Sequence, residues 1–185
     1  DLHSFPTRRS SDLEIYCSQV NAGVCVKKFD DADSEQYTGK NDYRNIVLFH
    51  VSDMYLIAAE AYLLAGDQTK ALQKVNDVRG RAGMPALASF SAYAPQYTTT
   101  ASFTFKDLDL VLDERARELY AEGHRWMDLR RTKQLVRYNI AFNPVINSVA
   151  DMSNTKGEIK WYRPIPENEI SSNTGISAAD QNPGY

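Results

Sequence analysis

"SDMYLIAAEAYLLAGDQTKALQKVNDVRGRA", residues 52–82, is the stretch whose reading decides the fold. Up to Ala65 its charges are Asp53 and Glu60, seven positions apart and therefore on one stripe of a helix. The rest of that circumference is apolar, the pattern of a helix covered on most sides. Ser52 stands where an N-cap is wanted. Gly66 falls where a left-handed residue ends a helix, and Asp67 can cap the next one. In that second helix Ala71, Val75, Val78 and Ala82 recur at spacings of 4, 3 and 4, with Leu72 beside them, so it is amphipathic. Gly80, Gly83 and Pro85 bring it to a stop. Two helices joined across "AGD" make a helical hairpin.

The hairpin resembles one tetratricopeptide-type unit. Such units stack, so a single copy predicts partners elsewhere in the whole protein. Upstream, residues 14–40 are polar and read as an exposed loop, and "NIVLFHV" (45–51) is an apolar, β-branched lead-in. Downstream, residues 84–103 form a long connector carrying Phe90, Tyr93, Tyr97 and Phe103. These aromatics are expected to pin the connector onto the helices. Thr104 with Asp107 predicts a capped helix start, followed by Leu108, Val111, Leu112, Ala116 and Leu119 on one face. Gly123 marks a break, and "HRWMDLRRTKQLV" (124–136) continues as a further helix with Trp126, Leu129 and Val136 inward. A second irregular stretch follows Arg137. "EIKWYRPIPENEI" (158–170) is then extended, kept from any sheet centre by two prolines, with Trp161 more buried than exposed. "QNPGY" closes the chain as an irregular tail.

The 185 residues suit one domain or a large piece of one, at 43% hydrophobic and 24% charged, a globular rather than disordered composition. A net charge of −3 argues against a nucleic-acid partner. No apolar run approaches the ~20 residues that span a bilayer. Residues 1–13 are set aside, because "HSFPTRRSSDL" (3–13) looks like a sequencing adapter translated in frame. Residues 14–185 are read as the native part. Cys17 and Cys25 have neither a C-x-x-C spacing nor a histidine cluster, so zinc is not expected. A local disulfide and two free thiols remain the alternatives.

"DERARELYAEGHRWMDLRR" (113–131) decides whether the chain does chemistry. Opposite charges recur three positions apart: Glu114 with Arg117, Arg115 with Glu118, Glu122 with Arg125, Arg125 with Asp128, and Asp128 with Arg131. On a helix such partners lie side by side. Arg115 borders the apolar stripe and is expected to be partly buried and held by carboxylates. A catalytic reading would pair two of Glu114, Glu118 and Glu122 as acid and base. Such carboxylates must face each other across a cleft, whereas these share one helix. His50 and His124 are isolated, and no nucleophile elbow, phosphate loop or metal-ligand motif occurs. Arg115, Glu118, Glu122, Arg125 and Asp128 are therefore expected to form a structural charge network, with no catalytic residue, metal or cofactor.

The hairpin at 52–85, then "LDERARELYAEGHRWMDLRRT" (112–132), then "WYRPIPENEI" (161–170) with the terminal "QNPGY" are similar, in the same order, to the C-terminal region of SusD/RagB-family proteins. The resemblance implies a mainly α fold of tetratricopeptide-like helical hairpins with long irregular loops. It implies a lipid-anchored protein of Bacteroidota on the outside of the outer membrane, with the anchor in an N-terminal part absent from this piece. It further implies capture of oligosaccharide for a SusC-like TonB-dependent transporter, without cleavage. Capture of peptide, as in the RagB branch, and a scaffold that contacts only the transporter are the alternatives. Tyr93 and Tyr97, on the long connector, are the candidate ligand-stacking residues. Family members often carry Arg about three residues before the acid that opens the first helix. This chain has His50 there, so one buried ion pair is expected to be lost or replaced.

Overall fold

In the computed structural model the described residues are 48–93 and 103–185. By contacts the chain divides into two compact units, Asp1–Leu48 and Phe49–Tyr185, and every element below belongs to the second. The residues set aside at the N-terminus, both cysteines and Tyr97 lie outside the described set.

Among the described residues the fold is helical, its one β-contact being an isolated antiparallel bridge between Ser153 and Ile159. Helix α1 (Val51–Leu64) and helix α2 (Gln68–Arg81) form the expected hairpin. The hairpin turn is fixed by hydrogen bonds from Asp67 N to Tyr62 O and from Gly66 N to Leu63 O, with Gly66 at φ +83°. That paired pattern around a left-handed residue satisfies the last carbonyls of α1. Asp67 then caps α2 by accepting from Lys70 N at 3.0 Å, and that bond holds its carboxyl below the usual range. Ser52 does not cap α1. The helix starts two residues earlier, with His50 at the N-cap in extended conformation and no side-chain cap.

Helix α3 (Asp107–Glu118) packs against both arms of the hairpin. Its start is set not by Thr104 but by Asp109, whose carboxylate accepts from Lys106 N at 2.8 Å. Leu110 and Val111 join Leu56, Ala59, Ala71, Val75, Val78 and Phe90 in one core cluster. The next residue, Leu112, faces a second cluster with Leu129, Leu135 and Tyr138. Seven consecutive residues, Asp109 to Arg115, are buried. Helix α3 is therefore the centre of the described fold, and its polar residues cannot all face water.

After α3, Ala121 (φ 65°) and Gly123 (φ 82°) turn the chain into helix α4 (His124–Arg131). The single helix expected over 124–136 is two helices. Gln134 N reaches Leu129 O and Lys133 N reaches Arg130 O, with Lys133 at φ 59°. This repeats the turn at Gly66, with lysine where glycine fits without strain and an L-residue costs ~1–2 kcal/mol. Helix α5 (Leu135–Phe142) follows, in place of the irregular stretch expected after Arg137.

The connector aromatics anchor as expected: Phe90 is in the first cluster, Tyr93 packs on it, and Phe103 packs on the second cluster with Trp126 and Trp161. Residues 158–170 are not extended throughout, because Pro166 caps the short helix α6 (Glu167–Ser172). The tail is not loose. The Gln181 side chain accepts from Ile165 N at 2.7 Å and donates to Ile165 O at 3.0 Å, so one amide imitates a strand partner. Gly184 (φ +102°) is buried against Lys160, where a Cβ would come within 2.9 Å of the Lys160 Cα.

Candidate functional site

The charged residues of α3 reach outward to every neighbouring helix. Arg115 is buried, and its guanidinium donates from Nη1 to Asp53 of α1 at 2.6 Å and from Nε to Asp128 of α4 at 2.8 Å. The other oxygen of Asp128 accepts from Arg131 at 2.9 Å, and Arg131 also holds both oxygens of Glu60 on α1. Asp53, Arg115, Asp128, Arg131 and Glu60 thus form a closed circuit through α1, α3 and α4. The bonds from Glu60 and Asp128 raise the pKa of Arg131 above its ordinary value. Glu114 accepts from Arg79 of α2 and from Arg117. Burial disfavours the Arg117 charge, but its bonds to Glu114 and Tyr93 outweigh that and raise its pKa.

Asp109 accepts from Arg137 and from the Tyr138 hydroxyl, both at 2.9 Å. Burial, then the charges of Asp113 and Asp109, push the Tyr138 phenol well above the normal tyrosine value. Burying these charges is tolerable because each meets a partner of opposite sign or a hydroxyl.

Of the five neighbour pairs expected along 113–131, Glu114 with Arg117 and Asp128 with Arg131 form. The other three are replaced by longer-range contacts. Arg115 turns to Asp53 and Asp128, Glu118 takes Arg81, and Arg125 donates to the Leu112 carbonyl at 2.8 Å. Glu122 lies 3.1 Å from His50 Nε2, so the position expected to lose its arginine keeps a basic partner for a carboxylate. The sequence pattern predicted neighbours on one surface. A central helix instead trades them for partners on other helices, since burial makes an unmatched charge expensive.

Glu114, Glu118 and Glu122 each have a basic neighbour. The first two are bound to arginines, and the third faces His50. Tyr93 is half-buried, donating to Asp113 at 2.9 Å and accepting from Arg117 at 3.2 Å. The Trp126 ring carries two guanidinium groups, Arg130 at 5.0 Å and Arg163 at 5.4 Å from its centre.

Two open clefts flank α5. One, about 730 Å³, is lined by residues including Arg117, Tyr120, Arg125, Tyr138, Asn139 and Phe142. The other, about 580 Å³, lies between the approach to α3, helix α5 and Trp161, with Phe103, Lys106, Lys133, Arg137, Ile140 and Trp161 in its wall. Both combine aromatic surface with hydrogen-bond donors, which suits binding of a polyhydroxylated molecule. Neither could be read from the sequence, because each is assembled from residues of separate segments.

The sequence model of the SusD family matches residues 8–185. Two curated relatives come from Formosa agariphila. SusD-like protein P38 is 38% identical over 97 residues, 51% of this chain and 18% of that protein. SusD-like protein P2 is 28% identical over 167 residues, 90% of this chain and 31% of that protein. The chain therefore spans about a third or less of the length of these relatives. Among solved structures, selenomethionine BT4246 is similar with a TM-score of 0.47 and 23% identity, over 75% of this chain and 24% of that one. SusD-like proteins are in general nutrient-binding components of the outer membrane. With a family match over nearly its whole length, this chain belongs to the SusD family.

Proposed function

We propose that this protein is the oligosaccharide-capturing component of a surface nutrient-uptake system, handing intact ligand to a SusC-like TonB-dependent transporter. The family match over residues 8–185 carries the reading. The chemistry of the described residues supports it. The buried carboxylates of the described helices are occupied in holding those helices together, and the open clefts offer aromatic faces and amide or guanidinium donors. A capture protein needs such a surface: C–H faces of sugar rings stack on aromatic rings, and hydroxyls pair with polar groups at the rim. An N-terminal lipid anchor would hold the protein at the outer face of the outer membrane.

Calorimetric titration of the full-length protein against panels of oligosaccharides and peptides tests this. The expected result is saturable heat with an oligosaccharide and none with peptides. Heat with peptides alone would assign the protein to peptide capture. Heat with neither, together with co-purification with the transporter, would leave it a scaffold.

A further inference from the structure

The 580 Å³ cleft is cationic. Lys106, Lys133 and Arg137 line it, and no Asp or Glu does. Arg137 is matched by Asp109 and packs 4.1 Å from the Phe103 ring centre. Lys106 and Lys133 make no ion pair among the described residues. The Lys133 ammonium instead lies 4.9 Å from the centre of the Trp161 ring. Arg130, three positions earlier, lies 4.8 Å from the Tyr162 ring, so positive charge continues beside the same segment. Lys133 also occupies a left-handed backbone position that glycine would fill without strain. Its side chain contributes nothing to that turn, whose bonds are made by backbone atoms. What the side chain does is bring a cation to a wall of Phe103, Ile140 and Trp161.

We propose that this cleft binds the acidic ring of an anionic oligosaccharide, a pyranose bearing a carboxylate or a sulfate ester. The C–H face of the ring lies on the apolar wall, and its anion turns toward the ammonium groups of Lys106 and Lys133. This rests on the oligosaccharide-capture reading and narrows it to acidic sugars. Arginine and lysine both attract such anions, but an unpaired lysine carries no competing carboxylate to displace.

The test is calorimetry on the full-length protein with four probes: a galacturonate oligomer, a sulfated galactan oligomer, a neutral galactan oligomer of equal length, and a glutamate hexapeptide. At least one acidic oligosaccharide is expected to bind tenfold or more tightly than the neutral one, with affinity falling as salt rises. Which of the two binds separates carboxylate from sulfate recognition. K133G and K106Q should each weaken that binding several-fold. K133G relieves the left-handed lysine, so its melting temperature should not fall and lost folding cannot explain lost affinity.

Equal affinity for acidic and neutral oligomers would overturn this inference and leave oligosaccharide capture standing. Preference for the hexapeptide would assign the cleft to acidic peptide and overturn it too. Acid binding insensitive to both substitutions would place the site elsewhere. No binding to any oligosaccharide, these or the wider panel, would overturn the capture reading itself.

Discussion

Asp53 in α1 and Arg115 in α3, 62 positions apart in sequence, are joined by a buried hydrogen bond of 2.6 Å. With Asp128 on the other side of the same guanidinium, this contact ties the hairpin to the second half of the described fold. Removing Arg115 would leave Asp53 buried without its charged partner and Asp128 held by Arg131 alone. The Arg115→Met variant should lose ~3–5 kcal/mol in a urea melt of the full-length protein. Arg115→Lys should recover only part, because one ammonium cannot reproduce two donors pointing in different directions. A cost under ~1 kcal/mol for Arg115→Met would show that the circuit holds nothing.

Tyr138 makes the fold sensitive to alkali. Its phenol is held above the ordinary value near 10, so the folded state binds that proton more tightly than the unfolded state does. Its contribution is complete below pH ~10 and is lost as pH rises from there toward the raised folded value. Tyr138→Phe should cost about 1.5–3 kcal/mol at pH 7, the worth of a hydrogen bond to a charged group. The variant should also lose less stability than the native protein between pH 9 and 11, as followed by urea melts. Parallel pH profiles would contradict this.

The C-terminal tail is predicted to come off its dock in Gly184→Ala. The residue sits at φ +102°, and its added Cβ would meet Lys160 backbone atoms at 2.9–3.0 Å. Strain of at least ~1–2 kcal/mol follows from the backbone conformation alone. Because the Ile165 amide bonds to Gln181, its hydrogen exchange should speed up in the variant while α1 to α3 are unaffected. Unchanged exchange at Ile165 would contradict the docking.

How much of this was legible beforehand depends on where each signal is encoded. The hairpin could be read because Gly66 and Asp67 encode their turn locally. The stripe of Asp53 and Glu60 on an otherwise apolar helix marked a covered helix but not the arginines that both acids meet. The identity of those arginines could not be read, because spacing reports neighbours along one helix and says nothing of contacts across three. The break between α4 and α5 was hidden because Lys133 holds a position that glycine usually marks. Helix α6 did leave a signal, Pro166 followed by Glu167 and Glu169, but the two prolines were read as enforcing extension. The clefts were beyond reach, since tertiary packing alone brings Lys106 and Lys133 to the wall of one cleft.

Helix α1 leaves Val51, Met54, Ile57 and Leu64 exposed, with Val51 and Leu64 each three-quarters so. Their spacing of 3, 3 and 7 puts them along one stripe, an apolar face of the kind that seeks a partner. The 185-residue chain studied alone should therefore self-associate in sedimentation velocity, and Met54→Lys with Ile57→Lys should reduce it. A monomeric native chain would show that this face needs no cover.

We infer that the acidic groups of α3 and its neighbours are structural and that ligand leaves as it arrived. The most direct measurement is to incubate the full-length protein with an oligosaccharide it binds and to analyse that ligand by chromatography over hours. A single peak of unchanged length is expected. Shorter products that disappear in Glu114→Gln, Glu118→Gln or Glu122→Gln, in a variant that still folds, would contradict it.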